Sequence, residues 1–117
     1  KMDAFEFLEY AQRKSLSYDV IVLDPPSFAS GNKRKGIRPW SSVADYCKLV
    51  TAASRVLSRT GLILASTNTQ ELCRPGRLER EIIRGLGDEP RWQTLPPTPT
   101  DFERELERFA ARAFTPA

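Results

Sequence analysis

The sequence predicts an α/β domain, a sheet with flanking helices, on three observations. Segments with helical spacing alternate with short apolar runs along the chain. Two of those runs, Val20 to Leu23 and Leu62 to Ala65, are apolar throughout and of strand length. Each is followed by a polar turn, DPPSF and STNTQ. Alternation of this kind belongs to strands joined by helices, and an unbroken apolar strand is expected where helices cover a parallel sheet on both faces.

Composition narrows the possibilities before any element is placed. A chain of 117 residues with 40% hydrophobic residues forms one domain rather than a disordered tail, burying roughly two thirds of its unfolded surface. The formal charge of +3 permits a nucleic-acid partner without requiring one. No stretch approaches the roughly 18 apolar residues of a membrane span, and KMDAFEFLEY lacks the apolar segment of a signal peptide, so a cytoplasmic protein with no membrane contact is expected. Cys47 and Cys73 are far apart and histidine is absent, which argues against a zinc centre or a Ser-His-Asp triad.

The elements follow in order. Phe5, Leu8 and Ala11 stand at helical spacing behind Asp3, a capping residue, and predict a helix from Ala4 to about Lys14. Val20 to Leu23 then reads as a central, buried strand. ASGNKRKGIRPW has neither apolar period and reads as a mobile loop. From Ser41 or Ser42 a long helix is expected, with Val43, Tyr46, Leu49, Val50, Ala53 and Leu57 as its stripe and Gly61 as its stop. Leu62 to Ala65 is the next strand. Pro75 can open a third helix with Leu78, Ile82, Ile83 and Leu86 inward and Gly87 as its end. RWQTL reads as a strand, PPTPT as a stiff connector, and Arg108 to Phe114 as a last strand, although FERELER carries helix formers.

In open α/β sheets, ligands bind beyond the carboxyl ends of the strands. Both polar turns lie at such ends. In DPPSF, Pro25 and Pro26 stiffen the chain and remove two backbone donors, leaving carbonyls free to accept. Asp24 adds carboxylate oxygens, and Phe28 offers a flat apolar face. A planar ring with an exocyclic amine, such as a nucleobase, fits both. A blander reading stands beside this one: an acid closing a turn, prolines ending a strand, and a phenylalanine in the core. An acid ending a buried strand also occurs in ATPases with a GxxxxGK[ST] loop, which this chain lacks.

Asp24-Pro25-Pro26-Ser27-Phe28 after VIVL resembles motif IV of the class I S-adenosylmethionine-dependent methyltransferases, and ADYCKLVTAASRVLSRTGLILASTNT is similar to the stretch that follows it in bacterial large-subunit ribosomal RNA methyltransferases of the I and K groups. KMDAFEFL resembles the segment where an acid meets the cofactor's adenine, with Asp3 and Ala4 at that position. The resemblance implies the C-terminal half of a Rossmann-like methyltransferase sheet over residues 1–117, without the glycine-rich half that holds the rest of the cofactor. It further implies S-adenosylmethionine held in part by Asp3, Ala4 and Asp24, and an acceptor site of Asp24, Pro25, Pro26 and Phe28. Methyl transfer by direct displacement follows, with this piece alone inactive.

The resemblance also separates two acceptors. The related I group has a Cys after the strand equivalent to Leu62 to Ala65, as carbon methylation of cytosine through a thiolate requires; here the residues are Ser66, Thr67, Asn68 and Thr69. A nitrogen acceptor on ribosomal RNA is therefore favoured. Asn68 is expected to orient a base or to cap the next helix. Lys33, Arg34, Lys35 and Arg38 are candidates for RNA phosphates, and Trp40 for anchoring the loop. Without a strand beside it, the Val20 to Leu23 edge is expected to pair with a second copy, to be covered by another chain, or to make the chain poorly soluble. The alternatives are a non-catalytic interaction domain, which binds no cofactor, and a nucleotide hydrolase, which turns over ATP with magnesium.

Overall fold

The computed structural model describes residues 3–96 and 109–117. Helix α1 (Ala4–Arg13) begins at Asp3, whose Oδ1 accepts the Glu6 N–H at 2.8 Å and so satisfies one of the donors a helix start leaves unpaired. Leu8 and Ala11 form its buried face, as their spacing requires.

Four strands make the main sheet: β1 (Tyr18–Leu23), β4 (Leu57–Thr67), β5 (Arg91–Gln93) and β6 (Ala110–Thr115), in the order β1-β4-β6-β5. β1 and β4 are parallel, whereas β6 runs antiparallel to both of its neighbours. A separate two-stranded hairpin pairs β2 (Phe28–Ala29) with β3 (Trp40–Ser41). Two further helices follow the turns, α2 (Ser42–Ser54) and α3 (Arg77–Leu86).

The sheet's alternation decides what is buried. Leu23, Ile63, Ala65 and Phe114 join Leu8, Ala11, Tyr46, Leu49, Val50, Leu78 and Ile82 in one core. The opposite alternates, Val20 and Val22, pair in register with Leu62 and Leu64 and are each 62% exposed. The strand at Val20 to Leu23 lies at the sheet's edge, as the open-edge expectation has it, but it is not central or covered on both faces, since one face is open. Its apolar composition could not reveal which neighbours it has. An open apolar cleft of about 230 Å³ runs along it, walled by Phe7, Leu8, Tyr18, Ile21 and Val56 as well as the two valines.

Three further expectations are corrected. The helix expected to reach Gly61 ends at Ser54, and Leu57 and Gly61 lie in β4. Pairing with β1 overrides helix propensity here: Tyr18 meets Leu57 and Val20 meets Leu62, so the extra residues on β4 bulge outward. A Cβ at Gly61 would strike the Leu57 side chain, so the glycine serves this bulge and not a helix end. ASGNKRKGIRPW is not an irregular loop but the connection of a hairpin, with a short 3₁₀ turn at Lys33–Lys35 that the Asn32 side chain caps. On α3 the buried stripe includes Glu81, 1% exposed and paired with Arg84 at 3.3 Å, while Ile83 and Leu86 are only half-buried. Close packing turns the helix this way: at Gly85 a Cβ would collide with the Cys47 carbonyl of α2, and the Thr51 hydroxyl donates to the Gly85 carbonyl at 2.6 Å.

The strands expected in RWQTL and near the C-terminus appear as β5 and β6. Arg108, FERELER and most of PPTPT lie outside the described residues.

Candidate functional site

Both polar turns emerge from the carboxyl ends of the adjacent parallel strands β1 and β4, which places them side by side. Two side-chain contacts join them. Ser66 Oγ donates to Asp24 Oδ1 at 2.9 Å, and the Ser27 and Thr69 hydroxyls lie 2.8 Å apart.

The start of α2 grips the first turn from the other side. The Pro26 carbonyl accepts from Ser42 Oγ and from Trp40 Nε1, each at 2.8 Å, and the Ser27 carbonyl accepts the Ser42 N–H at 2.9 Å. The expectation that both proline carbonyls stay free is therefore corrected: Pro26 is a structural acceptor. Its preorganised environment holds the turn rather than a guest. The Pro25 carbonyl and Asp24 Oδ2 have no hydrogen bond among the described residues and are acceptors the turn leaves unspent.

Trp40 is the anchor that the sequence suggests. Its indole sits 5.9 Å from the ring of Phe5, which ties the hairpin to the first turn of α1. Pairing places Trp40 opposite Ala29 and Phe28 opposite Ser41. Because successive side chains alternate, an inward Trp40 sends Phe28 to the other side. Phe28 is 76% exposed, so it is not a core residue. Asp24 is likewise exposed and paired with no cation among the described residues. The corner is thus an open ledge with an acceptor pair and an unshielded aromatic face.

The same contacts bring Asp3 and Ala4 to this end of the sheet through Phe5. Asp3 uses Oδ1 to cap α1, which leaves Oδ2, and Ala4 opens the helix, where its N–H has no intrahelical partner. An acceptor beside a free backbone donor fits the edge of an adenine.

Lys33, Arg34, Lys35 and Arg38 are all exposed on the hairpin, and none takes part in the three ion pairs among the described residues. Asn68 is exposed, and Thr69 rather than Asn68 stands at the N-cap of the following 3₁₀ turn (Gln70–Cys73). Cys73 is half-buried, with burial pushing its thiol up from the ordinary range, so it is a poor thiolate.

Sequence reasoning did not find Ser42, Tyr46 or Ser66 as parts of this site. The Tyr46 hydroxyl is fully buried and donates to the Ser66 carbonyl at 2.7 Å. Burial, and then the nearby Asp24 carboxylate, push its phenol above the ordinary value and keep it a donor. The only signal in the chain was a serine ending an apolar strand, which is common.

No family model matches the chain. It is 41% identical over 68 residues to a Bacillus subtilis protein provisionally named ribosomal RNA large subunit methyltransferase YwbD, covering 58% of this chain and 16% of that protein. Over 104 residues it is 28% identical to ribosomal RNA large subunit methyltransferase K/L of Psychromonas ingrahamii, covering 89% of this chain and 13% of the relative. The crystal structure of SMU.776, provisionally a methyltransferase and solved with SAH, superposes with a TM-score of 0.80 at 33% identity, covering 97% of this chain and 30% of that one. The chain therefore spans less than a third of each of these relatives, and its sheet is the Rossmann-like methyltransferase sheet expected from the sequence.

Proposed function

We propose that this chain, which resembles class I S-adenosylmethionine-dependent methyltransferases of the ribosomal RNA large-subunit K group, is the C-terminal half of such a domain, residues 1–117, and carries its acceptor site. The observation that carries this reading is the turn after β1: one Asp24 carboxylate oxygen and the Pro25 carbonyl unpaired among the described residues, with an exposed Phe28 three residues after Pro25. An exocyclic amine has two N–H donors, and these two acceptors match them.

S-adenosylmethionine, when bound, supplies an electrophilic methyl carbon on a sulfonium sulfur. Asp3, Ala4 and Asp24 are the residues of this chain that would hold it. Asp24 Oδ2 and the Pro25 carbonyl fix the amine so that its nitrogen lone pair points at the methyl group. Phe28 stacks on the base and holds its plane. Asp24 would also be placed to take the proton that the nitrogen loses on methylation, directly or through water. The protein's share is mainly alignment. The absence of a thiolate near the turn 66–69, with Cys73 held neutral, supports nitrogen over carbon as the acceptor.

Mass spectrometry of ribosomal RNA tests the reading. Cells lacking the full polypeptide should lose one N-methylated nucleotide, and the purified polypeptide should restore it. Unchanged RNA modification would overturn the assignment.

Four cations on one hairpin, unpaired among the described residues, support RNA as the partner. Each phosphate contact releases counterions, so replacing Lys33, Arg34, Lys35 and Arg38 with alanine should flatten the dependence of log Kd on log salt by about 3 for a single-stranded site. An unchanged slope would remove these residues from the interface.

The chain in isolation should lack transferase activity, because its described residues address only part of the cofactor. Its open β1 edge, with exposed Val20 and Val22, supports self-association through that strand. Sedimentation should show a dimer that Val20→Lys weakens; a monomer at all concentrations would refute this.

A further inference from the structure

We infer that Ser66 is a positioning residue for Asp24, setting which carboxylate oxygen faces the acceptor; this rests on the methyl-transfer reading above. Asp24 is exposed and follows the end of β1, so nothing in its own strand fixes its side-chain rotamer. Ser66 supplies that constraint from the neighbouring strand. Its hydroxyl holds Oδ1 at 2.9 Å, and its weaker 3.3 Å approach to the Leu23 carbonyl keeps the same oxygen over the end of β1. Oδ2 is then the oxygen left for an amine.

Ser66 can do this because it is itself held. It is 8% exposed, and its carbonyl is fixed by the buried Tyr46 hydroxyl at 2.7 Å. Three residues on, the Thr69 hydroxyl meets Ser27, while the Thr69 N–H donates to Thr67 Oγ1 at 3.1 Å. The end of β4 and the Thr69 that follows it therefore clasp the DPPSF turn at two points, and only the Ser66 point touches the carboxylate. Loss of the hydroxyl leaves Asp24 in place but free to rotate.

The test uses the full polypeptide with Ser66→Ala and Ser66→Thr. Ser66→Ala should lower kcat by on the order of tenfold, as misplacement of a reacting group does. The KM for RNA and the cofactor Kd should change less than kcat, because Pro25, Phe28, Asp3 and Ala4 keep their own contacts. Ser66→Thr keeps the hydroxyl and should recover most of kcat. A second readout is independent of activity: three-bond couplings at labelled Asp24 should report one rotamer in the wild type and averaging in Ser66→Ala. An unaltered kcat in Ser66→Ala, or equal losses in both variants at unchanged melting temperature, would overturn the role. If the wild type transfers no methyl group to RNA, the functional reading fails, and the couplings still decide the clasp: identical couplings in wild type and Ser66→Ala would sink it.

Discussion

Asp24→Ala in the full polypeptide is expected to lower the rate of methyl transfer by on the order of 10²–10³-fold, the usual cost of removing one preorganised electrostatic partner from a reacting group. Stability should change little. Asp24 is exposed, its one side-chain partner among the described residues is Ser66, and Ser66 retains the Leu23 carbonyl as an acceptor when the carboxylate is gone. Substitutions at exposed positions outside special structural features usually stay within about 0.5 kcal/mol. Asp24→Asn keeps one carbonyl acceptor and should fall between wild type and alanine. Single-turnover rates alongside thermal melts measure both quantities. Parallel losses of activity and stability would make Asp24 a turn residue and nothing more.

Phe28→Ala should weaken binding of the RNA acceptor by roughly 1–3 kcal/mol, about 5- to 150-fold, which is the range for losing one base–aromatic stack. The ring is 76% exposed at the base of a hairpin, so its removal opens no cavity and the melting temperature should hold. Phe28→Trp should restore or improve affinity, because stacking needs a flat ring and not a particular one. Trp40→Ala is the contrasting case. The indole donates to the Pro26 carbonyl and packs on Phe5, so its loss should loosen the whole corner and lower stability as well as binding. The pair of variants separates a ring that meets the substrate from one that holds the scaffold. Equal effects of Phe28→Ala and Trp40→Ala on stability would contradict that division.

The local parts of this site were legible because they depend on neighbours in the chain. Asp3 caps α1 because a carboxylate one residue before a helix start reaches the N–H three residues on, whatever the rest of the protein does. Gly87 ends α3 in the left-handed region for the same kind of reason, with φ of 79°. DPPSF stood out since two prolines, an acid and an aromatic after an apolar run are chemically unusual in any context. The resemblance to motif IV rests on those residues, and the relatives and the solved structure it resembles are named as methyltransferases.

Where the chain had to choose between two local options, the sequence was silent. Leu57 and Gly61 suit a helix and its stop, yet the ladder with β1 draws them into β4. Val20 and Val22 look like core, and they are exposed because β1 is an edge. The cation-rich stretch has no apolar period, but Asn32, two glycines at positive φ and the pairing of Phe28 and Ala29 with Ser41 and Trp40 order it as a hairpin.

The amino-acid sequence alone determined the alternation of helices and strands, the caps that bound two of the helices, and the chemical character of the corner at Asp24. Only the tertiary structure decided which acceptors of that corner are spent and which are open. Ser42 and Trp40, 16 and 14 residues beyond Pro26, take its carbonyl, and Ser66, 42 residues beyond Asp24, takes one carboxylate oxygen. Periodicity and capping act over a few residues of one segment. Hydrogen bonds between turns are set by which strands lie side by side, and that adjacency is a property of the packed sheet.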